Sequence, residues 1–367
     1  MIHHSHQGRT RVWLLPFIAL VVAAAAFVKL HSTDGDSNRV VLYTSIDTPI
    51  AKPIIQAFEA KSGLRVDVVG DTEVTKTTGL IERLLAERGR PKADVFWSSE
   101  PLGVIGLARE GLLESWTPPG DADSAVTRFS DPQNRWHGRS LRARVIVVNT
   151  RRVAESERPG TLRDLLDPKY MGLIGMARPE FGTTRLHVAS LLAAWGEPEY
   201  RAWCQAMRDQ DIRLYDGNSA VVRGVAHGEI VMGLTDTDDV VAGQREGWPV
   251  DLIFESVEDD VSELTSNQGH AFRSLGPITI PCTVGRLKGA PHADAGAQLA
   301  AFLLSPEVES MLSSSDSKNR PILGEASHDP MQAQIPLVSP VAFDEAEAQA
   351  ISAVRIFREI VEGSTGR

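Results

Sequence analysis

Short apolar runs alternate with longer amphipathic stretches in the first third of the chain. Runs rich in β-branched and aromatic residues at positions 40–43, 66–69 and 93–97 predict strands. Between them, apolar residues recur at three- and four-residue spacing over 49–62 and 77–88, which predicts helices. Because a strand, a helix and a second strand in this order form a parallel pair with a crossover helix, the pattern indicates an α/β fold.

Two polar loops follow predicted strands and are candidates for ligand binding. The first loop, at 44–48, contains Asp47, and the second, at 98–101, contains Glu100. Ligands of open parallel sheets bind at the carboxyl ends of the strands. We therefore expect the side chains of both loops at one edge of the sheet.

The remainder of the chain continues the same alternation. It predicts strands at 144–149, 230–234 and 278–286, and helices at 184–195, 202–209, 219–228, 293–304, 306–313 and 346–362. The strand at 144–149 is apolar and long enough to cross between two lobes.

The first forty residues predict export. Arg9 and Arg11 precede an apolar run at 12–28 that has four alanines near its end, which is typical of a signal peptide. The run is close to the length that spans a bilayer, so an uncleaved signal anchor that tethers the protein through residues 12–28 is the alternative. Both interpretations place the body of the protein outside the cytoplasm, and a buried core helix is the third interpretation.

Charge and motif content argue against two classes of function. The formal net charge is -10 and no basic stripe is present, so we expect no nucleic-acid partner. The chain has no nucleophile elbow, no phosphate-binding Gly-Lys loop, no zinc-protease motif and no Rossmann glycine triplet. We therefore expect a protein that binds a ligand and is not an enzyme.

The two cysteines, Cys204 and Cys282, have no metal-ligand spacing. Two small buried thiols are the favoured interpretation, because free cysteine is among the most buried residue types. A disulfide is the alternative in an oxidising compartment.

Three carboxylates follow the strand predicted at 230–234. Asp236, Asp238 and Asp239 would repel one another unless a cation or hydrogen-bond donors compensate them. With Asp47 and Glu100 they could form an oxygen-rich cage for a hard cation. The alternative is that these acids cap and stabilise the start of the next helix.

Seven segments carry a family resemblance along nearly the whole chain after residue 38. In order they are VLYTS, FEAKSGLRVDVV, KADVFWSSEPLGVIGLAREGLLE, LRARVIVVNTRRV, PGTLRDLLDPKYMGLIGMARPEFGTT, NSAVVRGVAHGEIVMGLTDTDD and GAPHADAGAQLAAFLLSPEVESML. Their order and spacing resemble those of the periplasmic solute-binding proteins of ABC importers, in the ferric-ion class.

The resemblance implies an α/β protein with two lobes, a central hinge and an interlobe cleft. The implied division is 1–38 as signal or anchor plus linker, 39–145 with 273–312 as the N-terminal lobe, and 146–272 with 313–367 as the C-terminal lobe. It also implies a monomer in the periplasm that closes over a small ligand and docks on an ABC permease.

The resemblance further implies an anion site. Gly182, Thr183 and Thr184 precede a predicted helix, where backbone N–H groups and hydroxyls bind anions, and Asn218 and Ser219 match an anion-contacting pair of the family. Ordinary helix capping is the alternative at both places. Ferric iron with a small synergistic anion would fit such a site, and no further cofactor is required.

Four positions depart from the ferric-binding pattern. The family carries two adjacent tyrosines where this chain has Asp238 and Asp239, and often a histidine where it has Asp47. Its loop glutamate is offset by one residue from Glu100. Carboxylates are hard ligands but less selective for ferric iron than phenolates. A receptor for an organic solute, such as a phosphorylated or phosphonate compound, a polyamine or a thiamine-like molecule, is therefore the alternative; a sensor ectodomain or an enzyme of the same fold is a more remote one.

Overall fold

The fold is taken from a computed structural model of the chain. It describes Met1 and residues 38–71, 78–119, 124–257, 272–323 and 328–363. The predicted signal or anchor segment at 12–28 lies outside the described residues. Among the residues that are described, no helix combines the length and apolar character needed to cross a bilayer.

The described strands form one continuous sheet in the order β2-β1-β3-β9-β4-β7-β5-β6, with β8 pairing on β4. They are β1 Arg39–Thr44, β2 Arg65–Gly70, β3 Val95–Ser98, β4 Trp136–Asn149, β5 Ile174–Ala177, β6 Arg213–Tyr215, β7 Met232–Asp236, β8 Val250–Ile253 and β9 Thr279–Arg286. As predicted, β1 runs parallel to both β2 and β3.

Helices cover the sheet. The described α-helices are α1 Thr48–Ser62, α2 Thr78–Ala86, α3 Pro101–Arg109, α4 Ser124–Thr127, α5 Gly182–Trp195, α6 Glu197–Asp209, α7 Asn218–His227, α8 Thr237–Arg245, α9 Ala293–Leu303, α10 Pro306–Ser314, α11 Pro330–Gln334 and α12 Phe343–Phe357. Short 3-10 turns lie at Glu155–Glu157, Leu162–Leu166 and Pro168–Tyr170, and a π turn at Arg358–Glu362 follows α12.

Strand β4 joins the two halves of the sheet. Its first half, through Ala143, pairs with β9, whereas its second half pairs with β7 from Arg144 to Val148 and with β8 at its end. All fourteen of its residues are buried. The pattern predicted a crossing strand at 144–149, but the strand begins eight residues earlier, because the residues before Arg144 are also buried within the sheet.

The predicted α/β fold class is confirmed, with one strand shared by the two halves of the sheet, while the exact lobe boundaries stay a prediction. Helix α12 contacts α3 on one half of the sheet and α5 on the other. Its buried residues, including Ala350 and Phe357, belong to the same apolar core as Leu102 of α3 and Leu186 of α5. One continuous core therefore underlies both halves on this side of the sheet.

Both cysteines are free and buried, which confirms the interpretation as apolar core residues. Burial raises the pKa of the Cys282 thiol to about 11. The thiol is therefore protonated and weakly nucleophilic at neutral pH.

A buried carboxylate supports an irregularity in β4. The pairing register with β9 shifts between Arg139 and Leu141, and Ser140 there has a φ of 55°. Glu309, which is 0% exposed, accepts hydrogen bonds from the backbone N–H groups of Ser140 at 3.0 Å, Ile322 at 2.8 Å and Leu323 at 2.7 Å. A left-handed conformation costs a non-glycine residue free energy, and these bonds offset that cost.

We expect Glu309→Ala to lower the free energy of unfolding by about 3 kcal/mol, because it leaves buried N–H groups without an acceptor. Equilibrium urea denaturation measures the change. Glu307→Ala on the same helix is the matched control; its carboxylate is 40% exposed and pairs with Lys61, so the expected loss is under about 1 kcal/mol. Equal losses in the two variants would contradict a special role for Glu309.

Candidate functional site

A small cavity lies where β4 passes from one half of the sheet to the other. Its volume is about 70 Å³, which suits an ion or a small anion with a few waters. Nine of the ten predicted site residues line it: Asp47, Gly182, Thr183, Thr184, Asn218, Ser219, Asp236, Asp238 and Asp239. The cavity also contacts Ser99, Arg142, Ala177, Arg178, Phe181, Asp216 and Gly217. The structure therefore brings the predicted acidic and anion-binding residues to one place.

Asp236, which lines the cavity, belongs to a cross-strand ion pair. Arg144 of β4 and Asp236 of β7 are opposite each other in the antiparallel register. The Arg144 Nη1 atom donates to Asp236 Oδ1 at 2.7 Å, and both side chains are at most 3% exposed. Such a pair holds two charges inside the sheet only because each neutralises the other.

Asp236 is also held by two neutral donors. Its Oδ2 atom accepts from the Thr183 hydroxyl at 2.6 Å and from the Asn218 amide at 3.1 Å. Asn218 in turn accepts from Arg144 at 3.1 Å. Asp236 occupies the N-cap position of α8 but makes no side-chain cap hydrogen bond. Its carboxylate therefore ties α5 and α7 to the sheet instead of capping the helix that follows it.

Arg142 connects the two halves of the sheet. Its Nη2 atom donates to the Ser99 carbonyl in the loop after β3 at 2.8 Å, and its Nη1 atom donates to Asp238 at the start of α8 at 2.5 Å. Asp236 Oδ2 lies 3.6 Å from the same Nη1 atom. One guanidinium therefore contacts ligand-side loops from both halves of the protein.

The two carboxylates keep Arg142 charged. Burial acts to lower its pKa, but Asp238 and Asp236 together raise the pKa above its ordinary value. Its Nε atom is buried and has no hydrogen-bond partner among the described residues, and the same holds for Nε and Nη2 of Arg144. The two guanidinium groups therefore have N–H donors that the hydrogen bonds among the described residues do not use.

The acidic side of the cavity is formed by Asp47, Asp238 and Asp239. Carboxylate oxygens of Asp236, Asp238 and Asp239 lie within 4.8 Å of one another, a spacing that a metal ion could bridge. Asp47 is exposed and approaches from the loop before α1. The predicted compensation for three adjacent acids is present, but it comes from arginines of β4.

Glu100 does not reach the cavity lining. Its carboxylate accepts from the backbone N–H groups of Leu102 at 2.6 Å and Gly103 at 3.0 Å, so it caps α3. The side chain is 3% exposed, and burial raises its pKa despite the N–H donors and the nearby Arg185 and Arg142. Its predicted role as a ligand is untested, and the described contacts assign its oxygens to the helix.

The anion side is the start of α5. The helix begins at Gly182, two residues before the predicted start, so Thr183 and Thr184 lie in its first turn. Phe181 at the N-cap position offers no side-chain acceptor, and the first N–H groups of a helix have no partner within it. These N–H groups border the cavity and favour negative charge there.

The sequence prediction missed Arg142 and Arg144. Both were visible in the segment LRARVIVVN as two charged residues two positions apart in an apolar strand. Residues at this spacing share one face of a strand, and buried arginines require acidic partners. The acids after β7 were the obvious partners, so pairing the two segments would have found this pair.

The chain belongs to the bacterial extracellular solute-binding protein family, whose model matches residues 91–340. It is 25% identical over 295 residues to Iron uptake protein A1 of Synechocystis sp., covering 77% of this chain and 76% of that protein. It is also 25% identical over 314 residues to a putative 2-aminoethylphosphonate-binding periplasmic protein of Salmonella typhi, covering 83% and 82% of the two chains.

Solved structures share the fold. Iron-bound HitA from Pseudomonas aeruginosa superposes with a TM-score of 0.71 at 24% identity, covering 87% of this chain and 99% of that one. The likeness confirms the two-lobe α/β architecture that the resemblance implied. Because members of the family are solute-binding proteins, the cavity between the two halves is the candidate ligand site.

We expect Asp236→Asn to lower the free energy of unfolding by about 3 kcal/mol, because Arg144 would keep a buried charge without its partner. Urea denaturation measures the loss. Asp239→Asn is the matched control on the same cavity wall; it is half-buried in the first turn of α8, where an acid contributes up to about 1 kcal/mol. A smaller loss for Asp236→Asn than for Asp239→Asn would contradict the scaffolding role.

Proposed function

We propose that this protein is the extracytoplasmic solute-binding component of an ABC importer and that its ligand is ferric iron, or another hard cation, with a small anion. The observation that carries the proposal is the cavity itself. It presents Asp47, Asp238 and Asp239 together with the first turn of α5. One small space is therefore lined with both carboxylate ligands and anion donors.

The charges around the cavity favour a cation. Asp47, Asp216, Asp236, Asp238 and Asp239 line the cavity with five negative charges, and Arg142 and Arg178 in the lining, with Arg144 paired to Asp236, contribute three positive charges. The remaining two negative charges attract a hard cation, whose preferred ligands are oxygen atoms. The similarity to an iron uptake protein supports iron as that cation.

Lobe closure is the proposed mechanism of capture. We assign residues 39–145 and 273–312 to the N-terminal lobe and residues 146–272 and 313–367 to the C-terminal lobe. Strand β4 passes between them, and the cavity lies at the crossing. Rotation about this strand would bring Asp47 and Ser99 toward α5 and α8, and hinge closure around a ligand is a common mode of binding.

The last step of the proposed function is delivery of the ligand to the permease. The closed monomer would dock on an ABC permease of the cytoplasmic membrane and release its ligand there. The predicted signal at residues 12–28 supports export to the periplasm. Whether that segment is cleaved or remains as a tether is a separate question that N-terminal sequencing of the exported protein answers.

An organic anion is the second candidate ligand. The observation in its favour is that Asp236 and Asp238 are already paired with arginines, which reduces their capacity for iron. The start of α5 would bind a phosphonate or phosphate group, and Asp239 and Asp47 would bind an amino group. The similarity to a putative 2-aminoethylphosphonate-binding protein supports this candidate.

We expect ferric citrate to raise the thermal midpoint of the purified protein, because a ligand that binds only the folded state stabilises it by mass action. Asp238→Asn combined with Asp239→Asn removes two carboxylate charges from the cavity and should abolish the rise. The control combines Asp209→Asn with Asp316→Asn, two exposed acids in surface ion pairs, and should keep it.

The same titration with 2-aminoethylphosphonate separates the two candidates. A rise with the phosphonate and none with ferric citrate would overturn the iron assignment and leave the solute-binding function in place. A rise with iron that persists in the Asp238 and Asp239 double variant would place the iron elsewhere on the protein.

A further inference from the structure

The ion pair between Arg142 and Asp238 lies in the wall of the cavity, where both charges of the proposed ligand would bind. Both residues line the cavity. Arg142 Nη1 is 2.5 Å from Asp238 Oδ2, and the two side chains are 9% and 18% exposed. Each partner therefore already holds a group of opposite charge inside the site.

Arg142 is fixed in place by contacts that do not depend on Asp238. Its Nη2 atom donates to the Ser99 carbonyl at 2.8 Å, and Asp236 provides a second carboxylate at 3.6 Å. Its buried Nε atom has no hydrogen-bond partner among the described residues. The guanidinium would therefore stay at the cavity if Asp238 turned away, and its remaining carboxylate would be the more distant Asp236, which it shares with Arg144.

Asp238 would likewise need a cation if it lost its contact with Arg142. It lies in the first turn of α8 beside Asp239, and their carboxylate oxygens are close enough to share one ion. A cation alone must compete with the guanidinium for Asp238, and the displaced arginine is left without its anion. An anion alone must compete with Asp238 for the arginine, and the displaced carboxylate is left without its cation.

We infer that the Arg142–Asp238 pair makes the site select ligands that carry a positive and a negative group together. Such a ligand replaces both halves of the pair at once: its cation takes Asp238 with Asp239, and its anion takes Arg142 with the start of α5. The inference rests on the proposed ligand cavity, and it holds for a metal ion with its anion as well as for a zwitterionic solute.

The neighbouring Arg144–Asp236 pair does not share this role. Both of its side chains are at most 3% exposed, and Asp236 also accepts from Thr183 and Asn218. Replacing it would break contacts between α5, α7 and the sheet. The two pairs therefore have different roles. The Arg144–Asp236 pair stabilises the packing of the helices on the sheet, and the Arg142–Asp238 pair determines which ligand charges the site accepts.

The test measures each ion separately by isothermal titration calorimetry, with inorganic phosphate as the anion and lanthanum(III) as the hard cation. The wild type is compared with Asp238→Asn and with Arg142→Gln. In Asp238→Asn, phosphate affinity should rise about tenfold or more, because an ionised donor is released to it, and lanthanum affinity should fall. In Arg142→Gln, the two changes should reverse.

This crossed pattern is what a merely structural role would not produce. If both variants bind both ions more weakly, or if phosphate affinity is unchanged in Asp238→Asn, the inference is wrong. Should Arg142→Gln fail to fold, the Asp238→Asn arm alone decides, because that side chain is partly exposed and its replacement has the same shape. Control titrations use Asp209→Asn, an exposed acid that should leave both affinities unchanged.

The result is independent of the iron assignment. A wild type that responds to ferric citrate but shows no phosphate gain in Asp238→Asn would retain the proposed function and reject the inference. A gain in phosphate affinity in Asp238→Asn, without any response of the wild type to ferric citrate, would support the inference and reject iron as the ligand.

Discussion

Two of the three buried guanidinium groups on strand β4, those of Arg142 and Arg144, determine how the centre of this protein is built. Arg142 and Arg144 lie on the strand that passes between the two halves of the sheet, and neither can lose its charge. Each therefore requires a carboxylate within hydrogen-bond distance. Asp236 and Asp238, at the end of β7 and the start of α8, supply them.

This constraint places the candidate ligand cavity at the contact between the two halves of the sheet. The carboxylates that neutralise the arginines must come from the second half of the sheet, while Arg142 also contacts the Ser99 carbonyl of the first half. A ligand that changes the charge balance here acts directly on the contact between the halves. Under the proposed function, the energy of binding and the energy of closure would therefore be linked through a few hydrogen bonds.

Much of the fold could be predicted from the sequence. The spacing of apolar residues distinguishes short strands from amphipathic helices, and turn-forming residues mark where these elements end. The alternation of strands and helices over 40–97 predicted the parallel strands at the start of the sheet. The apolar run at 230–234, just before Asp236, predicted β7. The length of β4 could not be predicted, since His137, Arg139 and Arg142 interrupt its pattern although all are buried. Such residues become predictable only when their partners, which are distant in sequence, are known.

In the candidate site, too, some residues could be predicted from the sequence and others could not. Residue type and position after a strand suggested Asp47 and the acids of 236–239, and the family resemblance added the turn at 182–184, because carboxylates at strand ends and open helix starts are typical ligand groups. Glu100 has the same chemistry, but its carboxylate is used to cap α3, and only the backbone geometry shows it. The arginines were missed because a charged residue in an apolar strand carries no local signature of its partner.

The central claim is that a carboxylate-lined cavity, without any tyrosine among its lining residues, binds the iron. The direct measurement is the visible absorption spectrum of the protein after loading with ferric citrate and desalting, together with its iron content. The account predicts about one iron per protein and no phenolate-to-iron charge-transfer band, because carboxylates are the protein ligands. A strong visible charge-transfer band, or no retained iron, would contradict it.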